Sequence, residues 1–208
     1  MSDSLWDWRL AEFRDRTASD APTPGGGSAA MVTAAIGLGL VLMALRVTAR
    51  KAAEPVALAP LIDGGERLLA ELSAHSDADI AVFDAYMAAL KLPRASEEDK
   101  AARRGAIAEA AVAATEVPLN AAQSVLEALD LSRQAASVAD TGILSDVGAG
   151  AALLHGAATA VLYAVDVNLK SVKDADLAAD FARSRAHLAM AAGDRHRDIA
   201  AIVAERLG

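Results

Sequence analysis

The sequence predicts an all-α fold: a single-domain helical bundle of about six to eight helices, in orthogonal or up-down packing and without a sheet. Three observations carry this. Alanine occupies 53 of the 208 positions, and alanine is the best helix former while adding little volume to an interior. Aromatic residues make up only 3% of the chain, so large anchors are scarce and helices must approach closely to bury a core. No segment alternates apolar and polar residues over the length of a strand. A length of 208 residues suits one domain, residues 1–208, and suffices for a real core.

The elements follow in order. A first short helix is expected from Leu5 to Arg16, with Leu5, Trp8 and Phe13 as its bulkier apolar positions. Thr17 to Gly27 holds Pro22, Pro24 and three consecutive glycines, a breaker-rich segment. A long helix is expected from Ser28, as its N-cap, to about Lys51. Pro55 and Pro60 suit the loop and first turn of the next helix or helix pair, which runs to about Lys91. Ser96 with Asp99 three residues on resembles a capping box after the Leu92-Pro93-Arg94-Ala95 break. Pro118 makes Glu97 to Val138 either two helices or one kinked helix. Asp140-Thr141-Gly142 reads as a turn and Ser145 as the N-cap of a helix to about Lys170. Asp176 to Leu207 closes the chain.

Composition excludes several function classes. The formal net charge is −8 and the basic residues are scattered, which argues against nucleic acid or an anionic membrane surface as partner. The chain has no cysteine, which removes disulfides, thiolate nucleophiles and cysteine-ligated zinc. The acidic Met1 to Trp8 segment has no basic stretch leading into an apolar run, so no secretory signal is expected and a cytoplasmic location is. Ala29 to Leu45 contains nothing more polar than Thr33. Its seventeen residues sit at the lower limit for a spanning helix, which needs about 20. No second comparable span is expected, and a buried soluble helix is favoured over a membrane helix.

Three local features bear on chemistry. Thr23-Pro24-Gly25-Gly26-Gly27-Ser28 runs straight into the apolar helix. It is a candidate ligand cradle, because glycines permit close backbone approach and a helix start presents free N–H groups; a flexible turn with an ordinary cap is the plainer reading. It is no nucleotide P-loop, since no Lys-Ser/Thr pair follows. Asp77, Asp84 and Lys91, spaced seven apart, share one helix stripe. Asp84 therefore lines either a solvated edge or a polar pocket between helices. Asp146, in Ser145-Asp146-Val147-Gly148, opens a helix where the dipole favours a carboxylate, so capping explains it without function. Among the histidines, His75 is expected in a turn, His155 as a packing residue, and His187 and His196 on a charged terminal helix; Asp194, His196 and Asp198 do not form a metal set.

Taken together, these motifs resemble the cyclodeaminase/cyclohydrolase family of folate enzymes over nearly the whole chain. The most specific piece is Pro22-Thr23-Pro24-Gly25-Gly26-Gly27-Ser28-Ala29-Ala30. Behind it come Asp84-Ala85-Tyr86, Lys91-Leu92-Pro93, Arg104, Val117-Pro118-Leu119, Ser145-Asp146-Val147-Gly148 and Val167-Asn168-Leu169 with Asp174 beyond. Without a fused formiminotransferase half, the chain is similar to the family's stand-alone bacterial cyclohydrolases. Two positions depart from the family pattern: Ala139-Asp140 replaces Gly-Asn, and Asp166-Val167 replaces Asn-Val. Each exchanges a neutral amide for a carboxylate.

The resemblance implies hydrolysis of 5,10-methenyltetrahydrofolate to 10-formyltetrahydrofolate, reversibly, in one-carbon metabolism. The alternatives are a formiminotetrahydrofolate cyclodeaminase and a catalytically silent folate-binding module. It further implies a homodimer, a folate pocket near the subunit interface, no metal and no cofactor besides the folate substrate. Asp84 and Asp146 are then expected to position and deprotonate water, with Asp140 as a further carboxylate. Lys91 is expected to donate a proton or hold the developing oxygen charge. Pro24, Gly25, Gly26, Gly27 and Ser28 are expected to approach the pteridine or the amide-linked tail, with Asn168 also binding substrate and Arg94 or Arg104 meeting the glutamate carboxylates.

Overall fold

Alanine-rich helices leave little side-chain bulk between their axes, and the computed structural model, which describes residues 4–52 and 54–208, shows how six of them use that closeness. They are α1 (Leu10–Thr17), α2 (Gly26–Lys51), α3 (Ala59–Leu90), α4 (Glu97–Val138), α5 (Leu144–Asn168) and α6 (Ala175–Leu207), joined in places by single 3-10 turns. Among the described residues there is no strand. The predicted first helix is split: Leu5–Asp7 forms a 3-10 turn, Trp8 and Arg9 are extended, and α1 begins at Leu10.

The core is one continuous cluster through α2, α3, α4, α5 and α6, including Leu38, Leu42, Leu45, Leu129, Leu154 and Leu162 with many buried alanines between them. The closest crossing joins α2 to α5. A Cβ added to Gly150 would lie 2.5 Å from the Gly37 carbonyl oxygen, and one added to Gly37 would lie 2.8 Å from the Gly150 carbonyl oxygen. The two helices run antiparallel: Asp140, just before α5, donates its N–H to Thr48 Oγ1 near the end of α2 (2.9 Å), while the glycines that start α2 share a cavity with Asn168 at the end of α5.

The Ser96–Asp99 capping box forms as expected. Pro118 does not divide α4, which runs unbroken through it. The carboxyl end of α4 is capped from α6, where Arg206 donates to the carbonyls of Ala136 (2.6 Å) and Ala139 (2.8 Å). Arg195 of α6 pairs with Asp130 of α4. His75 is not in a turn but inside α3, half-buried, with Nε2 3.1 Å from Ser124 Oγ. His155 packs as expected, stacked on His196 with ring centroids 4.7 Å apart.

Two helical stretches among the described residues are long and apolar enough to cross a membrane: Gly26–Lys51 and Thr141–Ser171. The second corrects the expectation of a single such span. Both stretches supply the central antiparallel pair, and Leu38, Val41, Leu42, Leu154, Val161 and Val165 point into the bundle with at most 1% exposure.

Candidate active site

Where the amino end of α2 meets the carboxyl end of α5, a cavity of about 540 Å³ opens between α3, α4 and α5. Its floor is the glycine turn (Pro22, Thr23, Gly25, Gly26 and Gly27). One wall is α3, with Asp79, Val82, Phe83, Tyr86 and Met87. The opposite wall is α5, with Ala160, Tyr163, Ala164, Val167 and Asn168. Ala111 and Ala114 of α4 close the back, and Ser171 stands at the edge. The surface is mostly apolar and aromatic with a few converging polar groups, the usual build of a site for a flat organic ligand.

The glycine turn is shaped by a carboxylate from another helix. Helix α2 starts at Gly26, two residues earlier than expected, so Ser28 lies inside the first turn and is not the N-cap. Ser28 instead donates its backbone N–H (2.9 Å) and its hydroxyl (2.8 Å) to Asp79 Oδ2 of α3. Asp79 thereby does from outside what an N-cap side chain does locally. Gly27 makes the approach possible, since a Cβ there would stand 2.1 Å from Asp79 Oδ1. The N–H groups of Gly26 and Gly27, at the positive end of a 26-residue helix, donate to no partner among the described residues, and both glycines line the cavity.

The structure brings together Gly25, Gly26, Gly27 and Asn168 of the expected site residues. Ser28 anchors Asp79 from beneath, and Pro24, which follows a cis peptide bond, is buried and off the cavity wall. Asp84 is exposed and lies roughly 140° around α3 from Asp79, at 100° per residue. Its stripe faces away from the cavity, and Asp77 at the head of that stripe binds Ser4 Oγ (2.6 Å) and the Leu5 N–H (2.9 Å). Lys91 is the exposed C-cap of α3, and Arg94 and Arg104 are exposed on the loop and on α4. Arg103, not its neighbour, reaches back to the Leu90 carbonyl (3.1 Å).

Asp146 is in the first turn of α5, roughly 33 Å of helix rise from Asn168. Asp140 lies beyond it, paired with Lys51 Nζ at 3.0 Å and accepting from the Gly142 N–H. The Lys51 ammonium, then the Gly142 N–H, hold its carboxyl below the ordinary value. Within one chain, therefore, Asp84, Lys91, Asp146 and Asp140 do not converge on the cavity. Ser145 also falls inside α5 and does not cap it. Both positions that depart from the family pattern have cationic partners: Asp140 has Lys51, and Asp166 is held bidentately by Arg185 at 2.8 Å on each oxygen.

Asp79 is the residue that spacing arguments missed, because it flanks the Asp77/Asp84/Lys91 stripe and looked incidental. The signal was present: Asp79, Val82, Phe83 and Tyr86 recur at helical spacing, a carboxylate heading an aromatic face.

Compared with known proteins, residues 9–187 match the family model described as formiminotransferase-cyclodeaminase. The methenyltetrahydrofolate cyclohydrolase of Methylorubrum extorquens is 35% identical over 168 residues, covering 79% of this chain and 81% of that protein. The formimidoyltransferase-cyclodeaminase of Sus scrofa is 32% identical over 174 residues, covering 82% of this chain but 32% of the longer protein. A formiminotetrahydrofolate cyclodeaminase from Thermotoga maritima superposes with a TM-score of 0.85 at 21% identity, over 97% of this chain and 98% of that one, which shows the shared fold.

Proposed function

The chain belongs to the formiminotransferase-cyclodeaminase family, and on that premise we propose that it is a methenyltetrahydrofolate cyclohydrolase, converting 5,10-methenyltetrahydrofolate and water reversibly to 10-formyltetrahydrofolate. The observation that carries the chemistry is Asp79, the one carboxylate among the residues lining a mostly apolar, aromatic cavity.

The substrate is a delocalised amidinium cation whose bridging carbon is already electrophilic, so hydrolysis asks for a placed water and a proton acceptor, with no further activation of carbon. Phe83, Tyr86 and Tyr163 offer flat surfaces for the pteridine. Asp79 Oδ2 is held by Ser28, which leaves Oδ1, above Gly27, to face the cation and take a proton from water as it attacks. A C–O bond forms as one water proton passes to Asp79; the C–N5 bond then breaks with N5 taking that proton, while the adduct hydroxyl loses its own proton to solvent and becomes the carbonyl of the formyl group on N10. The Gly26 and Gly27 N–H groups are the donors placed to meet negative charge developing on oxygen. The reading takes the enzyme to be cytoplasmic and to need no resident metal or cofactor.

We further propose a homodimer. Ile36 and Met43, seven residues apart on the outer face of α2, are 50% and 39% exposed, a large apolar stripe for an alanine-rich chain. A second copy would also bring Asp84, Lys91 or Asp146, which do not line the cavity of their own chain, within reach of a cavity. Mixing Asp79→Asn and Asp146→Asn subunits tests that: restored turnover in the mixture places Asp146 in a partner's site, and none returns it to helix capping.

The decisive assay follows loss of the methenyl chromophore at neutral pH against the spontaneous rate. Acceleration is expected. Folded protein without acceleration overturns the cyclohydrolase reading; ammonia release from formiminotetrahydrofolate would then support the cyclodeaminase reading, and folate binding alone the silent module.

A further inference from the structure

Helix α4 continues for 42 residues although Pro118 sits in its interior. Proline has no N–H, so the carbonyl four residues earlier, that of Ala114, loses its helical donor. Ala114 is buried, with 8% exposure, and a carbonyl left unpaired there is unfavourable. The missing donor comes from another helix: Asn168, the last residue of α5, donates Nδ2–H to the Ala114 oxygen at 2.5 Å.

A carboxamide has a donating end and an accepting end. Facing the Ala114 carbonyl, only the nitrogen gives attraction, so the orientation of the amide is set by its partner's chemistry. Oδ1 is then the free end. It accepts no hydrogen bond from any described residue, and both Asn168 and Ala114 line the cavity. Had residue 118 carried an N–H, the Ala114 carbonyl would be satisfied within α4 and the amide free to turn over.

We infer that Pro118 is a positioning residue for substrate binding: by withholding a donor from Ala114 it fixes the Asn168 amide with Oδ1 toward the cavity, making that point of the wall an obligate acceptor for a ligand N–H. The inference rests on the folate reading only for the identity of that ligand. A reduced pterin offers ring and exocyclic N–H groups to such an acceptor, whereas the glutamate carboxylates at the other end of a folate do not.

Pro118→Ala is the test, because it gives Ala114 back its own helical donor. In the unliganded protein, the side-chain amide protons of Asn168, observed by nitrogen-15 NMR, are expected to exchange slowly in the parent and at least tenfold faster in Pro118→Ala. With methenyltetrahydrofolate, KM is expected to rise about tenfold with kcat within about twofold. The KM effect should vanish in an Asn168→Ala background. Stability supplies a further arm: Asn168→Ala alone orphans the Ala114 carbonyl, and adding Pro118→Ala should raise the melting temperature of that variant. Unchanged Asn168 amide exchange in Pro118→Ala, or effects of the two substitutions that simply add, overturns the inference. Should the folate reading itself fail, the kinetic arm falls silent while amide exchange and the stability cycle still decide the link between Pro118 and Asn168.

Discussion

Asp79 Oδ2 accepts both the backbone N–H and the hydroxyl of Ser28, 51 residues away in sequence, and its other oxygen stands over Gly27. One carboxylate thus closes the first turn of α2 and presents an oxygen to the cavity. Asp79→Asn keeps the shape and removes the base. Turnover of methenyltetrahydrofolate should fall about 100-fold or more, with helical circular dichroism retained. A rate within a few-fold of the parent would leave Asp79 with the structural role alone.

Adjacent glycines separate this role from general loop flexibility. A Cβ on Gly27 would meet Asp79 Oδ1 at 2.1 Å, whereas one on Gly26 meets nothing within 4 Å. Gly27→Ala must push the carboxylate aside and release Ser28. It should lower kcat/KM by about tenfold or more through displacement of the acceptor, and stability by about 1 kcal/mol through loss of the cap. Gly26→Ala should leave both near parental values. Steady-state kinetics and urea denaturation of the pair decide the matter, and equal behaviour would contradict the contact.

At the α2–α5 crossing the neighbour is backbone and cannot swing away. Gly150→Ala places a methyl 2.5 Å from the Gly37 carbonyl oxygen and 2.8 Å from Val41 Cγ2. Overpacking of this kind costs about 1–3 kcal/mol, read as a lower urea midpoint. Gly156→Ala on the same helix, with nothing within 4 Å, is the control and should match or exceed the parent.

Acid should weaken the fold through two histidines. Burial lowers His75 below its ordinary 6.5, against a smaller opposing effect of Glu71. Burial, with His196 and Arg197 nearby, lowers His155 likewise. The unfolded chain therefore binds more protons than the folded one below 6.5. The stability contribution of neutral His75 is complete above 6.5 and is lost as pH falls through its lower folded-state value. Melting temperatures compared at pH 7.5 and 5.5 should drop at the lower pH, and His75→Gln should make that drop smaller. An identical drop in His75→Gln would remove His75 from the account.

The helices, the capping box at Ser96 and Asp99, and the glycine turn were legible because each is written within a few adjacent residues. What sequence reading missed is non-local. Ser28 looked like a cap because the carboxylate that supplies the first turn of α2 comes from α3. Pro118 reads as either a break or a kink, because the donor that satisfies Ala114 comes from the end of α5. Asp84, Lys91 and Asp146 drew attention as polar residues in apolar surroundings, but spacing along one helix does not say which side faces the bundle.

The alanines of the interior bear on how this fold responds to heat. Ala34, Ala44, Ala128, Ala135, Ala136 and Ala151 are fully buried and have no χ angle to freeze. Each such residue brings less apolar surface than leucine would, yet gives up almost no rotameric freedom on folding. The ordering penalty at these positions falls on the backbone, where alanine's helix preference already reduces it. Rigidity in this bundle thus comes from the absence of side-chain choices as much as from contact area, and it supplies a stiff frame behind Tyr163 and Val167, each 63% exposed on the cavity wall.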